Sequence, residues 1–185
     1  MGSDASTIYR VKVTLRDIRP PIWRRLELKG STSLYKLHQI IQEAFGWFNS
    51  HLHQFVVDGE AYGESVPEAD FELRSGRRVK LEQAAPKVGD KFLYEYDFGD
   101  GWLHEIKVEA IEKPQSGVSY PRCTKGKRSG PPEDVGGPWG YEDFLAAIKD
   151  PEHKEHDSYL EWVGGSFDPE AIDIDAINAE LKRIR

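Results

Sequence analysis

Two short segments near the N-terminus alternate apolar and polar residues, and this period of two constrains the fold more than any other feature of the chain. The segments are Ile8–Leu15 and Ile22–Leu28, and Arg19-Pro20-Pro21 interrupts the pattern between them. Successive side chains of a β-strand point to opposite faces of a sheet. The pattern therefore predicts two strands, each buried on one face.

A helix is predicted directly after these strands. Apolar residues recur at helical spacing between Leu34 and Phe45. The preceding Ser31-Thr32-Ser33 offers hydroxyl groups that can cap a helix N-terminus. Gly46 follows the last apolar residue and is a natural stop, since glycine accepts the left-handed conformation in which many helices end.

Further strands are predicted around two turn signals, Asp58-Gly59 and Phe98-Gly99-Asp100-Gly101, and a short helix is predicted at Val79–Ala85. The strands flanking these turns are His51–Val57, Glu60–Gly63, Lys91–Asp97 and Trp102–Glu112. Together the elements predict an α+β fold. We expect a twisted, mainly antiparallel sheet with a helix packed on one face, followed by a helical C-terminal part.

The length of the chain suits one domain, which we expect to span residues 7–185 after a flexible N-terminus of residues 1–6. Residues 113–140 are rich in proline, glycine and lysine, and they predict a long loop. Helical spacing returns in residues 141–185, where Asp173 is a plausible N-cap. The predicted helical segments there are Tyr141–Lys149, Glu152–Val163 and Ile174–Ile184.

Cysteine usage and hydropathy bear on the compartment. Cys123 is the one cysteine, so the chain cannot form an internal disulfide, and a reducing compartment is allowed. The chain contains no apolar run near the ~20 residues of a membrane span, and it does not begin with a signal peptide's apolar stretch. We therefore expect a cytoplasmic protein that does not associate with membranes.

Charge is unevenly distributed along the chain. The net charge is −7, but residues 7–29 are basic and residues 141–180 are strongly acidic. Overall acidity argues against general nucleic-acid binding, which depends on phosphate neutralisation. The basic segment keeps a local nucleic-acid patch open, and the alternative is that the two regions complement each other on one surface.

The first group of candidate functional residues is His51-Leu52-His53. On a strand, His51 and His53 point to the same side, and two imidazoles could begin a divalent-metal site that needs further ligands. The alternative is that both histidines form hydrogen bonds at a sheet surface or cleft.

The second group lies around the predicted turn at residues 98–101. Asp97 and Asp100 flank this turn, and Trp102 and His104 follow on one face of the next strand. A carboxylate near His104 could orient the imidazole for general-base or metal chemistry. The candidate metal ligands are therefore His51, His53 and His104. The alternative is ordinary turn and core chemistry.

The third group is the Pro-Pro-Glu-Asp segment at residues 131–134, inside the predicted loop. Proline restricts this backbone, and Glu133 and Asp134 are expected to be exposed on it. Paired carboxylates on a rigid loop could bind a metal or act as acid and base. The alternative is a surface loop whose acids cap the next helix.

These motifs together resemble one protein family, the plasmid Ri ORF-3-like family, which is also met as a passenger of mobile elements. The resemblance runs from about Tyr9 to the C-terminus. It implies an α-β roll-like fold and implies no particular activity. The residues that carry it are Pro21-Ile22-Trp23-Arg24-Arg25, Leu37-His38, Gly46-Trp47, His51-Leu52-His53-Gln54-Phe55, Tyr96-Asp97-Phe98-Gly99-Asp100, Trp102, His104, Pro131-Pro132-Glu133-Asp134, Gly136-Gly137, Gly140-Tyr141, Trp162, Gly164 and Phe167-Asp168.

Three functions follow as hypotheses. The first is a binding or accessory module for a protein or nucleic acid, with a groove lined by Trp23, Arg24, His53, Trp102 and the loop at residues 131–134. The second is a metal-assisted hydrolase. Its cleft would combine His51, His53, Asp97 and His104 with Glu133 or Asp134. The third is nucleic-acid binding through the basic N-terminal hairpin.

Overall fold

The computed structural model describes residues 6–64 and 73–184. The expected flexible N-terminus, residues 1–6, lies outside this range except for Ser6. In the described part of the chain, eight strands form one open sheet. They are β1 (Ile8–Leu15), β2 (Ile22–Lys29), β3 (His53–Val57), β4 (Glu60–Gly63), β5 (Arg74–Ser75), β6 (Lys91–Tyr96), β7 (Trp102–Glu112) and β8 (Arg122–Lys127).

The strand order across the sheet is β5-β4-β3-β6-β7-β1-β2-β8. Every neighbouring pair is antiparallel except the short β4–β5 pair. Five helices accompany the sheet in the described residues: α1 (Leu34–Phe45), α2 (Leu81–Ala84), α3 (Gly137–Lys149), α4 (His156–Trp162) and α5 (Ile174–Leu181). The predicted α+β class, the mainly antiparallel sheet and the helical C-terminal part are confirmed.

Local signals position α1. The hydroxyl of Ser33 accepts a hydrogen bond from the Lys36 backbone N–H at 3.1 Å, and Gly46 ends the helix with φ 77°. The helix buries its apolar stripe against one face of the sheet. On that face, the alternating residues of β1, β2, β3, β6 and β7 are buried, whereas the residues between them are partly exposed.

Two segments differ from the sequence-based expectation. Strand β8 lies inside residues 113–140, which the sequence predicts as a loop. Its residues do not alternate in hydropathy, so the period of two gives no signal for a strand there. The strand is held at the sheet edge by backbone pairing with β2. Strand β3 begins at His53 rather than at His51, because the backbone at residues 49–52 follows a bend before it pairs with β6.

The C-terminal helices pack on the rest of the fold. Helix α5 contacts both α1 and β8, and α3 contacts α4. Asp173 caps α5 as predicted, since its carboxylate accepts a hydrogen bond from the Ala176 N–H at 2.9 Å. In residues 6–64 and 73–184, no helix combines the length and the apolar character needed to cross a bilayer.

Candidate functional site

Four side chains from three distant parts of the chain converge at one edge of the molecule. They are His51, Asp97, Glu133 and Asp134, and each offers one ligand atom within 4.8 Å of the others. The Nε2 atom of His51 lies 2.6 Å from Asp134 Oδ1, 3.5 Å from Asp97 Oδ2 and 3.8 Å from Glu133 Oε1. We call this set the carboxylate–histidine cluster.

Strand pairing brings the first two members together. His51 lies just before β3, and Asp97 follows the last residue of β6. The two strands are antiparallel, with His53 opposite Tyr96. The Asp97 N–H also donates to the Leu52 carbonyl at 2.9 Å. The start of β3 therefore lies beside the end of β6.

Asp97 occupies a turn that suits its residue type. Its φ is 59°, a left-handed conformation that aspartate tolerates better than most residues. Its Oδ1 atom accepts hydrogen bonds from the N–H groups of Gly99 and Asp100 at 3.1 and 3.3 Å. The Oδ2 atom of Asp97 is thereby directed toward His51. One carboxylate shapes the turn and joins the cluster.

Two hydrogen bonds hold Glu133 in place. The Tyr96 hydroxyl donates to Oε1 at 2.8 Å, and the Phe48 N–H donates to Oε2 at 3.0 Å. The same loop is anchored by the Trp47 indole, whose Nε1 donates to the Pro131 carbonyl at 3.0 Å. The side chain of Glu133 is only 11% exposed. The Pro-Pro-Glu-Asp loop is therefore docked on the end of α1 and on β6.

Close backbone packing fixes the other end of this loop. The Gly136 N–H donates to Asp100 Oδ2 at 3.1 Å. A Cβ atom at Gly137 would collide with the Asp100 carbonyl oxygen, and Gly137 has φ 72°. Asp100 therefore does not join the carboxylate–histidine cluster. It connects the turn after β6 to the start of α3.

The electrostatics of the cluster favour a cation. Burial lowers the pKa of the His51 imidazole, but the hydrogen bond to Asp134 and the nearby carboxylate charges outweigh it, so the net pKa is raised. Burial, and then the hydrogen bond to Glu133, raise the pKa of the Tyr96 phenol, which remains a donor at neutral pH. Three carboxylates thus surround a single imidazole, leaving the cluster with excess negative charge.

The donor set of the cluster matches that of a divalent-metal site. One imidazole nitrogen and three carboxylate oxygens suit first-row transition dications such as Mn²⁺, Fe²⁺ or Zn²⁺. The side chains of His51 and Asp134 are 32% and 62% exposed, so water reaches the cluster. Catalytic metal sites require such access, because they keep a coordination position for water or substrate.

The structure does not bring His53 and His104 to this cluster. The His53 ring is buried and stacked on His38 at 3.5 Å, and burial together with His38 lowers the pKa of His53 to about 3. His104 is also buried, in edge contact with Phe45 and Trp47, and burial lowers its pKa to about 3. Both follow strand alternation onto the covered face of the sheet, whereas His51 precedes β3. The three histidines therefore do not form one site.

The remaining candidate residues are also dispersed. Trp102 is buried on the covered face, between the rings of Trp47 and Tyr141. Trp23 lies on the opposite face of β2, where the side chains of Lys12 and Arg25 contact its ring. Arg24 is buried on the covered face and lines a separate groove. The groove expected from Trp23, Arg24, His53, Trp102 and the loop at residues 131–134 is therefore formed only in part. Arg24 and residues 131–133 line one groove, and the other three side chains do not line it.

Tyr96 and Trp47 were not predicted as functional residues, yet both support the cluster. Tyr96 is a positioning residue for Glu133, and Trp47 anchors the loop through Pro131. A signal for Tyr96 was present, because strand alternation places its ring on the covered face. A buried tyrosine hydroxyl usually has a hydrogen-bond partner.

Comparisons with known proteins agree with one another. The family model described as plasmid pRiA4b ORF-3-like protein matches residues 7–176. The uncharacterized protein y4hQ of Sinorhizobium fredii is 40% identical over 175 residues, covering 94% of this chain and 90% of that protein. The crystal structure of the protein of unknown function MM3350 from Methanosarcina mazei Go1 has a TM-score of 0.84 and 36% identity, covering 92% of this chain and 97% of that one.

The matched region contains the sheet, α1, the loop before α3 and every member of the carboxylate–histidine cluster. Identity and coverage are both high, and the fold agrees with that of a solved relative. The chain therefore belongs to the plasmid pRiA4b ORF-3-like protein family.

Proposed function

We propose that this protein binds one divalent transition-metal ion at the carboxylate–histidine cluster and acts as a metal-assisted hydrolase. The observation that carries the proposal is the convergence of His51, Asp97, Glu133 and Asp134, whose ligand atoms lie within 4.8 Å of one another. These residues come from three separate segments. Like-charged carboxylates repel one another at short range, and a bound cation would offset that cost.

The simpler alternative is an ion-pair network without a metal. His51 already contacts Asp134 at 2.6 Å, and a protonated imidazole offsets part of the negative charge. A protonated imidazole offsets one of the three negative charges of the carboxylates. A dication bound beside the neutral imidazole offsets two of them. The His51–Asp134 pair is well exposed, and an exposed ion pair contributes little to stability on its own.

A metal in this position would supply hydrolytic chemistry. A bound dication lowers the pKa of a coordinated water and polarises a substrate carbonyl or phosphoryl oxygen. The chain's own residues hold the ligands in place. Tyr96 and the Phe48 N–H orient Glu133, and the turn hydrogen bonds orient Asp97. Such supporting hydrogen bonds are typical of functional metal sites.

The proposal is tested by titrating metal-free protein with Mn²⁺ and Zn²⁺ in a calorimeter. We expect one equivalent to bind, and His51→Gln to weaken binding by at least about tenfold, because even indirect supporting residues contribute ~10–100-fold. His153→Gln is the matched control, since His153 lies outside the cluster. Equal weakening by both substitutions, or no binding to the native protein, would contradict the proposal.

Hydrolysis is tested separately with chromogenic esters and phosphate esters. We expect turnover that depends on added metal, is abolished by EDTA and is lost in His51→Gln. Tight metal binding without any turnover would retain the metal site and reject the hydrolase. The site would then belong to a metal-dependent binding or accessory module.

A binding module is the second candidate, and one observation favours it. A surface groove with exposed aromatic side chains adjoins the cluster at Glu133. Nucleic-acid binding through the β1–β2 hairpin receives less support. The hairpin's Arg25 is paired with Glu109 at 2.7 Å, and its Arg10 is paired with Glu112 at 3.6 Å. Its Arg24 is buried on the covered face. These three basic groups are therefore not free to contact phosphates.

A further inference from the structure

A groove of about 620 Å³ runs between the end of α1, the loop at residues 129–133 and α5. Pockets of this size accommodate small organic ligands. Its wall is largely apolar and includes Phe45, Phe48, Trp162, Phe167, Ile172 and Ile177. Phe48 and Trp162 are 77% and 48% exposed. Exposed aromatic side chains along a concave surface are typical of ligand sites.

One charged group lies in this apolar wall, the guanidinium of Arg24. The residue is 2% exposed and also lines the groove. Its Nε donates to the Ala44 carbonyl at 2.7 Å, and its Nη1 donates to the carbonyls of Trp23 and Lys127 at 2.9 and 3.1 Å. These neutral acceptors hold the guanidinium rigidly and leave its Nη2 without a hydrogen bond among the described residues.

The guanidinium has no counterion in the described part of the chain. No carboxylate there lies within ion-pair distance of it. The Phe45 ring lies 4.9 Å from the guanidinium carbon and gives a cation–π contact, which carries no counter-charge. The thiol of nearby Cys123 has a pKa raised by burial, so it is neutral. Burial lowers the pKa of Arg24 to about 10, and the group still carries its charge at neutral pH. A buried, unpaired charge is costly unless an anion neutralises it.

We propose that this groove binds a small monocarboxylic acid with an apolar body, whose carboxylate pairs with Arg24. A guanidinium and a carboxylate match in shape and charge, and the pair is strong where water is excluded. The aromatic and aliphatic wall would cover the apolar body of the ligand. Cavities of this kind combine a mostly apolar lining with a few polar groups that fix orientation.

The rim of the groove restricts the ligand to a single negative charge. Glu43, Glu133 and Asp173 also line it. Burial, and then the charge of Glu180, raise the pKa of Glu43. The three carboxylates of the lining disfavour a second negative charge on the ligand, because like charges repel at short range. A polyanion such as a nucleic acid would be repelled by these carboxylates. A monocarboxylate would pair with Arg24 while its apolar body lies along the aromatic and aliphatic wall.

This inference stands apart from the metal site. Glu133 borders both features, but its carboxylate is held by Tyr96 and the Phe48 N–H. Ligand binding is therefore measured with EDTA present, so that the groove is tested on metal-free protein. Failure of the metal titration would not affect the test of ligand binding in the groove. Failure of ligand binding would likewise not affect the metal titration.

Octanoate, 1-octanol and octylamine are titrated into the native protein by ligand-observed NMR. The three probes share one chain and differ in the charge of the head group. We expect octanoate to bind at least about tenfold more tightly than octanol, because a charge-assisted hydrogen bond exceeds a neutral one by that amount. Equal affinity for octanoate and octanol, or tighter binding of octylamine, would overturn the proposal.

Variants locate the binding. Arg24→Met keeps an unbranched apolar side chain, and we expect it to remove the preference for octanoate over octanol. Phe48→Ala alters an exposed groove residue and should weaken octanoate binding severalfold. Trp139→Ala is the matched control, since Trp139 is 83% exposed and does not line the groove. If Arg24→Met does not fold, two other results test the proposal: the affinities of the native protein for the three head groups, and the affinities of Phe48→Ala and Trp139→Ala for octanoate. Equal affinities of those two variants would reject this location.

Discussion

The indole Nε1 of Trp47 donates a hydrogen bond to the carbonyl oxygen of Pro131 at 3.0 Å. Trp47 is buried directly after α1, and Pro131 belongs to the loop that carries Glu133 and Asp134. The two residues are 84 positions apart in the chain. This bond connects the helix end to the loop and holds the carboxylates of Glu133 and Asp134 near His51.

Trp47→Phe keeps an aromatic ring and removes the donor. We expect the free energy of unfolding to fall by about 1–3 kcal/mol, because the Pro131 carbonyl loses its partner in a buried place. Urea unfolding followed by circular dichroism measures this change. Trp139→Phe is the control, since an exposed substitution changes stability by no more than about 0.5 kcal/mol. Equal stability of the two variants would mean that the bond does not anchor the loop.

Tyr96→Phe tests how Glu133 is held. The substitution removes the hydroxyl that donates to Glu133 Oε1 and accepts from the Ser50 N–H at 2.9 Å. We expect Mn²⁺ affinity to fall by roughly 10–100-fold, as it does when a hydrogen bond to a metal ligand is lost. Tyr35→Phe, which keeps its ring against Arg77, should leave affinity unchanged. An unchanged affinity in Tyr96→Phe would remove Glu133 from the ligand set.

Gly137→Ala separates backbone conformation from close packing. Gly137 and Gly117 both have positive φ, at 72° and 77°. A Cβ at Gly137 would collide with the Asp100 carbonyl, whereas a Cβ at Gly117 would meet nothing within 4 Å. We expect Gly117→Ala to cost about 1–2 kcal/mol from the conformation alone. Gly137→Ala should cost more by a further ~1–3 kcal/mol from the collision. Equal losses in urea unfolding would contradict the packing argument.

His104 makes stability depend on pH. Burial lowers the pKa of His104 to about 3, with Nδ1 3.2 Å from the Tyr94 carbonyl. On acidification, His104 of the unfolded chain therefore binds a proton near pH 6.5. In the folded chain it does so only near pH 3. The stabilising contribution is complete above pH 6.5. Below pH 6.5, the contribution of His104 to the free energy of unfolding falls by about 1.4 kcal/mol per pH unit as the pH drops toward 3.

His104→Leu should flatten this part of the stability profile. We would measure urea midpoints of the native protein and the variant between pH 4 and 7. The native protein should lose stability on acidification more steeply than His104→Leu. Parallel profiles would show that His104 titrates alike in the folded and unfolded chains.

Local sequence signals predicted much of the fold. The strands β1 and β2 and the helix α1 follow from periodicity and capping residues that lie next to one another in the chain, as at Ser33 and Gly46. Strand β8 could not be predicted in this way. Arg122–Lys127 lacks alternation, and its conformation depends on pairing with a distant partner, β2.

The hydrolase hypothesis grouped the members of the candidate site in one cleft, but it also placed His53 and His104 there, and the structure does not. His51, Asp97, Glu133 and Asp134 each belong to a motif that the sequence marks. Their convergence depends on the β3–β6 pairing and on the Trp47–Pro131 contact, which join residues far apart in the chain. His53 failed to join because alternation along β3 directs it into the core, where it stacks on His38.

The most direct test of the central claim is the metal content of the protein, purified without a histidine tag and measured by inductively coupled plasma mass spectrometry. The proposed site predicts close to one equivalent of manganese, iron or zinc in the native protein and a loss of that metal in His51→Gln. Absence of bound metal, even after incubation with each of these ions, would contradict a metal centre at His51, Asp97, Glu133 and Asp134.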